Sequence, residues 1–204
     1  MNRSTFGKTF RKYRASWSRW LHIYLSMISF IALLFFAVTG LTLNHTEWFA
    51  DQQQTVTAKG QLPQQWVALG DTGKVVKLEV VEYLRSKHHI SGAVGEFAID
   101  EYQCTISFNG PGYTADVFIN REDGSYDISE TQTGFWGVMN DLHKGRDSGN
   151  AWALLIDISA VLMVLVSLSG LLMLFFLKKK RISGILMIVL GGIAVWLVYW
   201  LLVP

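Results

Sequence analysis

The chain holds one cysteine, Cys104, in 204 residues. An intrachain disulfide is therefore excluded, and CxxC, iron–sulfur and cysteine–zinc motifs are absent. Cys104 alternates with Ile106 and Phe108, as a buried strand residue does. No nucleophile elbow, P-loop or HExxH motif is present, so classical hydrolase chemistry has no support. Charge is also scarce, at 17% of residues against 50% hydrophobic. Its distribution is the informative part: residues 21–43 and 182–203 contain no Asp, Glu, Lys or Arg, and residues 151–177 contain one, Asp157.

Each of these runs exceeds what an apolar layer about 30 Å thick needs at roughly 1.5 Å rise per residue. Lipid offers backbone amides no water, and the runs are too long for barrel strands, so three transmembrane helices are expected. The first run is too long for a signal peptide and no A-x-A-like site follows it, which predicts an uncleaved anchor.

Residues 1–20 lack acids altogether and carry Arg3, Lys8, Arg11, Lys12, Arg14 and Arg19, while Lys178, Lys179, Lys180 and Arg181 fill the gap between the second and third runs. By the positive-inside rule both segments are cytoplasmic. The stretch 44–150 holds fifteen acidic and eight basic residues, which fits the translocated side, and the C-terminus then also ends outside. Trp17, Trp20, Trp48, Trp152, Trp196 and Trp200 fall near helix ends, as interfacial aromatics do. The net charge of +2 is the residue of this asymmetry, and no nucleic-acid partner is indicated.

Within 44–150, Lys74 to His89 reads as an amphipathic helix with an apolar stripe of Val75, Leu78, Val81 and Leu84, ended by Ser91-Gly92. His88 and His89 suit its C-terminus, where partial positive charge is favourable. The period then changes to two over 94–100, 102–108, 113–120 and 125–131, with turn sequences at 109–112 and 121–124. A helix followed by an antiparallel meander is expected, and then a short interfacial helix over Phe135–Lys144. Glu96, Asp100, Glu101, Asp116, Glu122, Asp123 and Asp127 read as a solvated acidic surface.

The helix KLEVVEYL at Lys77–Leu84 and the hairpin VFINREDGSY at Val117–Tyr126 resemble a PepSY domain. The flanks resemble the PepSY-associated transmembrane family: RWLHIY at Arg19–Tyr24, LTLNH at Leu41–His45, LHKG at Leu142–Gly145 and IDIS at Ile156–Ser159. The likeness runs from about residue 17 to 177. With the three helices read above (21–43, 151–177, 182–203), the basic N-terminal segment 1–20 and the basic loop 178–181, it implies a mixed α+β membrane protein whose extracytoplasmic stretch 44–150 is a small PepSY-like domain, although the larger family members have more than three spans and more histidines. It also implies placement in a bacterial inner membrane and a role in transmembrane electron transfer, with b-type haem held by helix histidines and a flavoprotein or ferric complex as partner.

His45 and His143 form the one pair expected on the same, outer face. His22 lies 23 residues before His45, roughly 35 Å along a helix axis, and is expected at the opposite face. The candidate ligands of haem, or of a bare Fe, Cu or Zn ion, are therefore His45 and His143, with His22 as a second station. A histidine from a second copy, or Met173 or Met187, would complete that station. Gly40 leaves space beside a ring, and Asp157, Asn44 or Lys144 would hold or neutralise groups around it. Each has a plainer reading: Asp157 as a tie between helices, His22 as an interfacial residue, Lys144 and Arg146 as contacts to lipid. Gly184, Gly191 and Gly192 would serve a homo-oligomer or pack the monomer. Two functions remain, a haem-binding redox component and a non-redox anchored PepSY module.

Overall fold

The computed structural model describes residues 3–70, 72–177 and 179–204. Lys178 of the basic loop lies outside them, as do the side chains of Arg3, Lys8, Arg11 and Lys12. The chain order is α1 (Arg3–Leu43), β1 (Gln54–Gln61), α2 (Lys77–His88), β2 (Ala93–Ile99), β3 (Gln103–Gly110), β4 (Tyr113–Asn120), β5 (Ser125–Gln132), α3 (Gly134–Lys144), α4 (Gly149–Phe176) and α5 (Arg181–Leu202), with short 3₁₀ turns after α1 and before α2. Segments Tyr13–Leu43, Gly149–Phe176 and Arg181–Leu202 are long and apolar enough to cross a membrane. The protein is thus a multi-pass membrane protein of mixed α+β class. The first helix is continuous with the basic segment, because nothing between Arg3 and Leu43 breaks it and the sequence there has no proline.

Two compact units emerge. One takes the chain up to Leu34 and from Asp157 onward, and the other spans Phe35–Ile156. In the first unit α4 buries Ser159 and Ser169, small residues that allow close helix approach. No residue of α5 is buried.

The second unit is built on a five-stranded sheet in the order β1-β5-β4-β3-β2, antiparallel throughout. Cys104, Ile106 and Phe108 on β3, Ala115, Val117 and Ile119 on β4, and Tyr126 and Ile128 on β5 alternate inward. They form one cluster with Val80, Val81 and Leu84 of α2, so the period-two pattern and the helix stripe meet on one face. The stripe differs from expectation at one position. The helix begins at Lys77, which buries Val80 beside Val81 and Leu84 and leaves Leu78 68% exposed.

His89 closes α2 in a left-handed conformation, φ 55°, as a C-terminal cap. His88 bonds the Tyr126 hydroxyl through Nε2 at 2.8 Å. The β4–β5 turn carries Gly124 at φ +77°, where an added Cβ would stand 2.7 Å from the Leu62 carbonyl oxygen. Arg121 in that turn is fully buried. Its guanidinium donates to the carbonyls of Val67 (3.1 Å), Ala68 (2.7 Å), Asp100 (2.7 Å) and Glu101 (2.9 Å), tying two loops to the sheet.

Strand β1 was not anticipated. Its sequence, QTVTAKGQ, offers no apolar face, and Val56 is 64% exposed. It exists because β5 presents a free edge that eight register pairs satisfy.

Candidate functional site

Helix α3 delivers His143. Its amphipathic face packs down, Asn140 is buried, and the Thr42 hydroxyl donates to the Asn140 carboxamide at 2.7 Å. Asp141 accepts from the Gly112 amide at 2.9 Å, which fixes α3 to the β3–β4 turn. Gly145 ends the helix at φ +70°, and the Trp152 indole donates to the Leu142 carbonyl at 2.7 Å. The last turn of α3 is thereby pinned from both sides.

The His143 ring then rests on α1. Phe36 meets it edge-on with centroids 5.1 Å apart, and a Cβ on Gly40 would lie 3.6 Å from its Cε1. Its Nδ1 is 2.6 Å from the Thr39 hydroxyl. That hydroxyl already donates its only proton to the Phe35 carbonyl at 2.6 Å. It must therefore accept from the imidazole, so Nδ1 carries the proton and Nε2 the lone pair. Burial, and secondarily the Lys144 charge, pull the His143 pKa below its ordinary value, which favours this neutral form.

His22, in the other unit, is held the same way. Its Nδ1 lies 2.8 Å from the Ser169 hydroxyl, which donates to the Val166 carbonyl at 2.8 Å. By the same reasoning His22 is Nδ1-protonated with Nε2 open. A Cβ on Gly170 would be 3.3 Å from its Cε1. Each histidine thus sits on a hydroxyl–glycine pair of a long helix, Thr39-Gly40 or Ser169-Gly170. Neither Nε2 has a hydrogen-bond partner among the described residues, and neither is sealed inside protein. An imidazole with Nδ1 anchored and Nε2 open is the form that ligates a metal.

His45 occupies a different setting. It lies in the turn after α1, its ring stacked on Trp48 at 4.1 Å and 4° and its Nδ1 3.2 Å from a Glu47 carboxylate oxygen. Its side chain is 34% exposed. No hydrogen bond or ring contact joins it to His143 among the described residues. Asn44 is exposed next to it. Asp157 is exposed on α4. Lys144 lines an open polar hollow with Thr46, Asp141, Arg146 and Asp147. Among the described residues no group of three or more His, Cys, Asp or Glu is arranged to hold a metal ion, so a bare-ion site would rest on isolated histidines.

Thr39, Phe36, Ser169 and Gly170 were missed by sequence reasoning. The repeated hydroxyl–glycine pair, Thr39-Gly40 toward the end of the first apolar run and Ser169-Gly170 toward the end of the second, was the available signal, since small residues there admit a bulky ring.

Three membrane-length helices with an inserted α2–sheet unit define a membrane-anchored α+β protein carrying histidines on its helices. The chain belongs to the family described as "Putative PepSY_TM-like", whose model matches residues 16–204. No curated protein and no solved structure matches the chain significantly.

Proposed function

We propose that this protein is a haem-binding redox component of the bacterial inner membrane, with stations at His22 and His143. The observation that carries this reading is the repeated seat: two histidines, each tautomerically fixed through Nδ1 by a helix hydroxyl, each beside a glycine, and each with Nε2 open. Structural histidines in helix packing have no need of an open Nε2. Along α1, His22 and the Thr39 seat are seventeen residues apart, roughly 26 Å by helix rise, close to the thickness of an apolar layer.

The residues fit the group chemically. Haem takes neutral imidazole nitrogens as axial ligands, and Gly40 and Gly170 let the two imidazoles lie close against their helices. His143 would ligate at the outer station, with His45 its candidate partner, since Glu47 at Nδ1 leaves the His45 Nε2 available. His22 would ligate at the inner station, where the second ligand comes from another copy or subunit. When bound, haem supplies a one-electron iron couple, and the chain's own part is to fix the imidazoles and exclude water. The charge asymmetry supports a cytoplasmic N-terminus and an extracytoplasmic 44–150 domain. A flavoprotein or ferric complex at the outer side is the partner class that follows.

The test is the spectrum of purified variants expressed with ample haem. His22→Ala and His143→Ala should each remove one component of the reduced absorption, and the double variant both. Spectra unchanged by both substitutions would overturn the assignment of these ligands.

A further inference from the structure

We propose that the cleft between the start of α1 and the end of α4 binds the ring headgroup of a lipid-soluble quinone. Tyr13, Trp17 and Ser18 line it from α1, and Ser169, Leu172 and Phe176 from α4, enclosing about 210 Å³. Ligand pockets run to roughly 300–1,000 Å³ for drug-sized molecules, so this space suits one substituted ring with its tail left outside.

Ser18 is the informative residue. It is 7% exposed, and its hydroxyl has no hydrogen-bond partner among the described residues, although serines elsewhere on α1 bond back to a helix carbonyl. A buried hydroxyl left unbonded is costly. A quinone carbonyl oxygen answers it as an acceptor, while the flat ring meets the faces of Tyr13, Trp17 and Phe176 and an isoprenoid tail continues along Leu172 into lipid. An acyl chain at this depth brings no polar atom to Ser18. A phospholipid headgroup would instead engage Arg14 at the rim.

Ser169 belongs both to the cleft wall and to the His22 seat, through the 2.8 Å contact with Nδ1. The cleft is therefore placed for the reduced, quinol form of the same ring to give up its two electrons one at a time, releasing its two protons to water and leaving the quinone; that role, unlike the binding itself, rests on the redox function proposed above.

The experiment uses the full chain in nanodiscs of zwitterionic lipid, titrated with a benzoquinone bearing a ten-carbon tail and followed by quenching of tryptophan fluorescence. Saturable quenching is expected, with Trp17→Phe removing part of it. Ser18→Ala should weaken binding roughly five-fold, as loss of one hydrogen bond does. Leu172→Trp should fill the cleft and abolish saturation, with circular dichroism confirming that both variants fold. Linear quenching that tracks partition into lipid, or saturation untouched by Ser18→Ala and Leu172→Trp, would overturn the proposal. So would displacement of the quinone by anionic phospholipid in a manner lost in Arg14→Gln. Because the assay needs no haem, a colourless protein that binds quinone through Ser18 would leave this site standing and remove only its role as donor site.

Discussion

Replacing Thr39 with Val probes the His143 seat with little change of shape. The substitution keeps a β-branched side chain of similar size and deletes the one group that accepts the His143 Nδ1 proton at 2.6 Å. The Phe35 carbonyl, which also lies within the helix ladder, loses only a supplementary donor. The half-buried imidazole N–H is then unpaired, a cost of about 1–3 kcal/mol. The tautomer is freed as well, and loss of such an orienting partner typically lowers metal affinity by roughly 10–100-fold. Nitrogen-15 spectra of histidine-labelled protein report the tautomer directly. The wild-type ring should be Nδ1-protonated and Thr39→Val should shift it toward a mixture, while Thr39→Ser, which keeps the hydroxyl, restores it. A wild-type His143 protonated on Nε2, or a Thr39→Val protein unchanged in tautomer and thermal stability, would refute the reasoning from the hydroxyl's single proton.

Arg121→Leu should destabilise the sheet unit by at least about 1–3 kcal/mol, because four loop carbonyls lose their buried donor, and Arg121→Lys should rescue little since an ammonium cannot span them; chemical denaturation checks both. Cys104 should resist thiol reagents in the folded protein and react on unfolding, since it is fully buried and burial raises its pKa. His88 and His143 both have pKa values lowered chiefly by burial, so the unfolded chain takes up protons that the native one does not. Stability should therefore be complete above about pH 6.5 and fall as acid is added below it, and His88→Gln should flatten part of that slope in a pH series of melting curves. A cysteine introduced at Glu122 in a Cys104→Ala background should label from outside the cell; protection there with labelling from the cytoplasmic side would reverse the proposed orientation.

The three long helices were legible because absence of charge over a membrane's thickness is a strong, local constraint. Strands β2 to β5 were legible because Cys104, Ile106, Phe108, Val117 and Ile119 alternate with polar residues. Strand β1 was not, since it pairs along the edge of β5 and the side-chain contacts it adds, Thr55 with Thr131 and Lys59 with Asp127, are polar and leave no apolar period to read. The stripe of α2 was misplaced at Leu78 because a shift in the helix start rotates the buried face. Among the histidines, proximity to helix ends could be read, whereas the seats could not. Thr39 and His143 are 104 residues apart, and Ser169 and His22 are 147 apart, so only folding reveals that each imidazole meets a hydroxyl already committed as a donor. His45 looked equivalent to His143 in sequence, yet a turn beyond α1 gives it Glu47 and Trp48 as neighbours. Asp157, read as a tie between helices or a partner of the ligand histidines, is exposed on α4.

The central claim is most directly tested by the reduced-minus-oxidised absorption spectrum of the purified full chain in detergent, measured together with its iron content. The account predicts a b-type haem difference spectrum with iron retained through purification. A folded, colourless preparation without iron, made with haem in excess, would contradict it and leave the protein a membrane-anchored binding module.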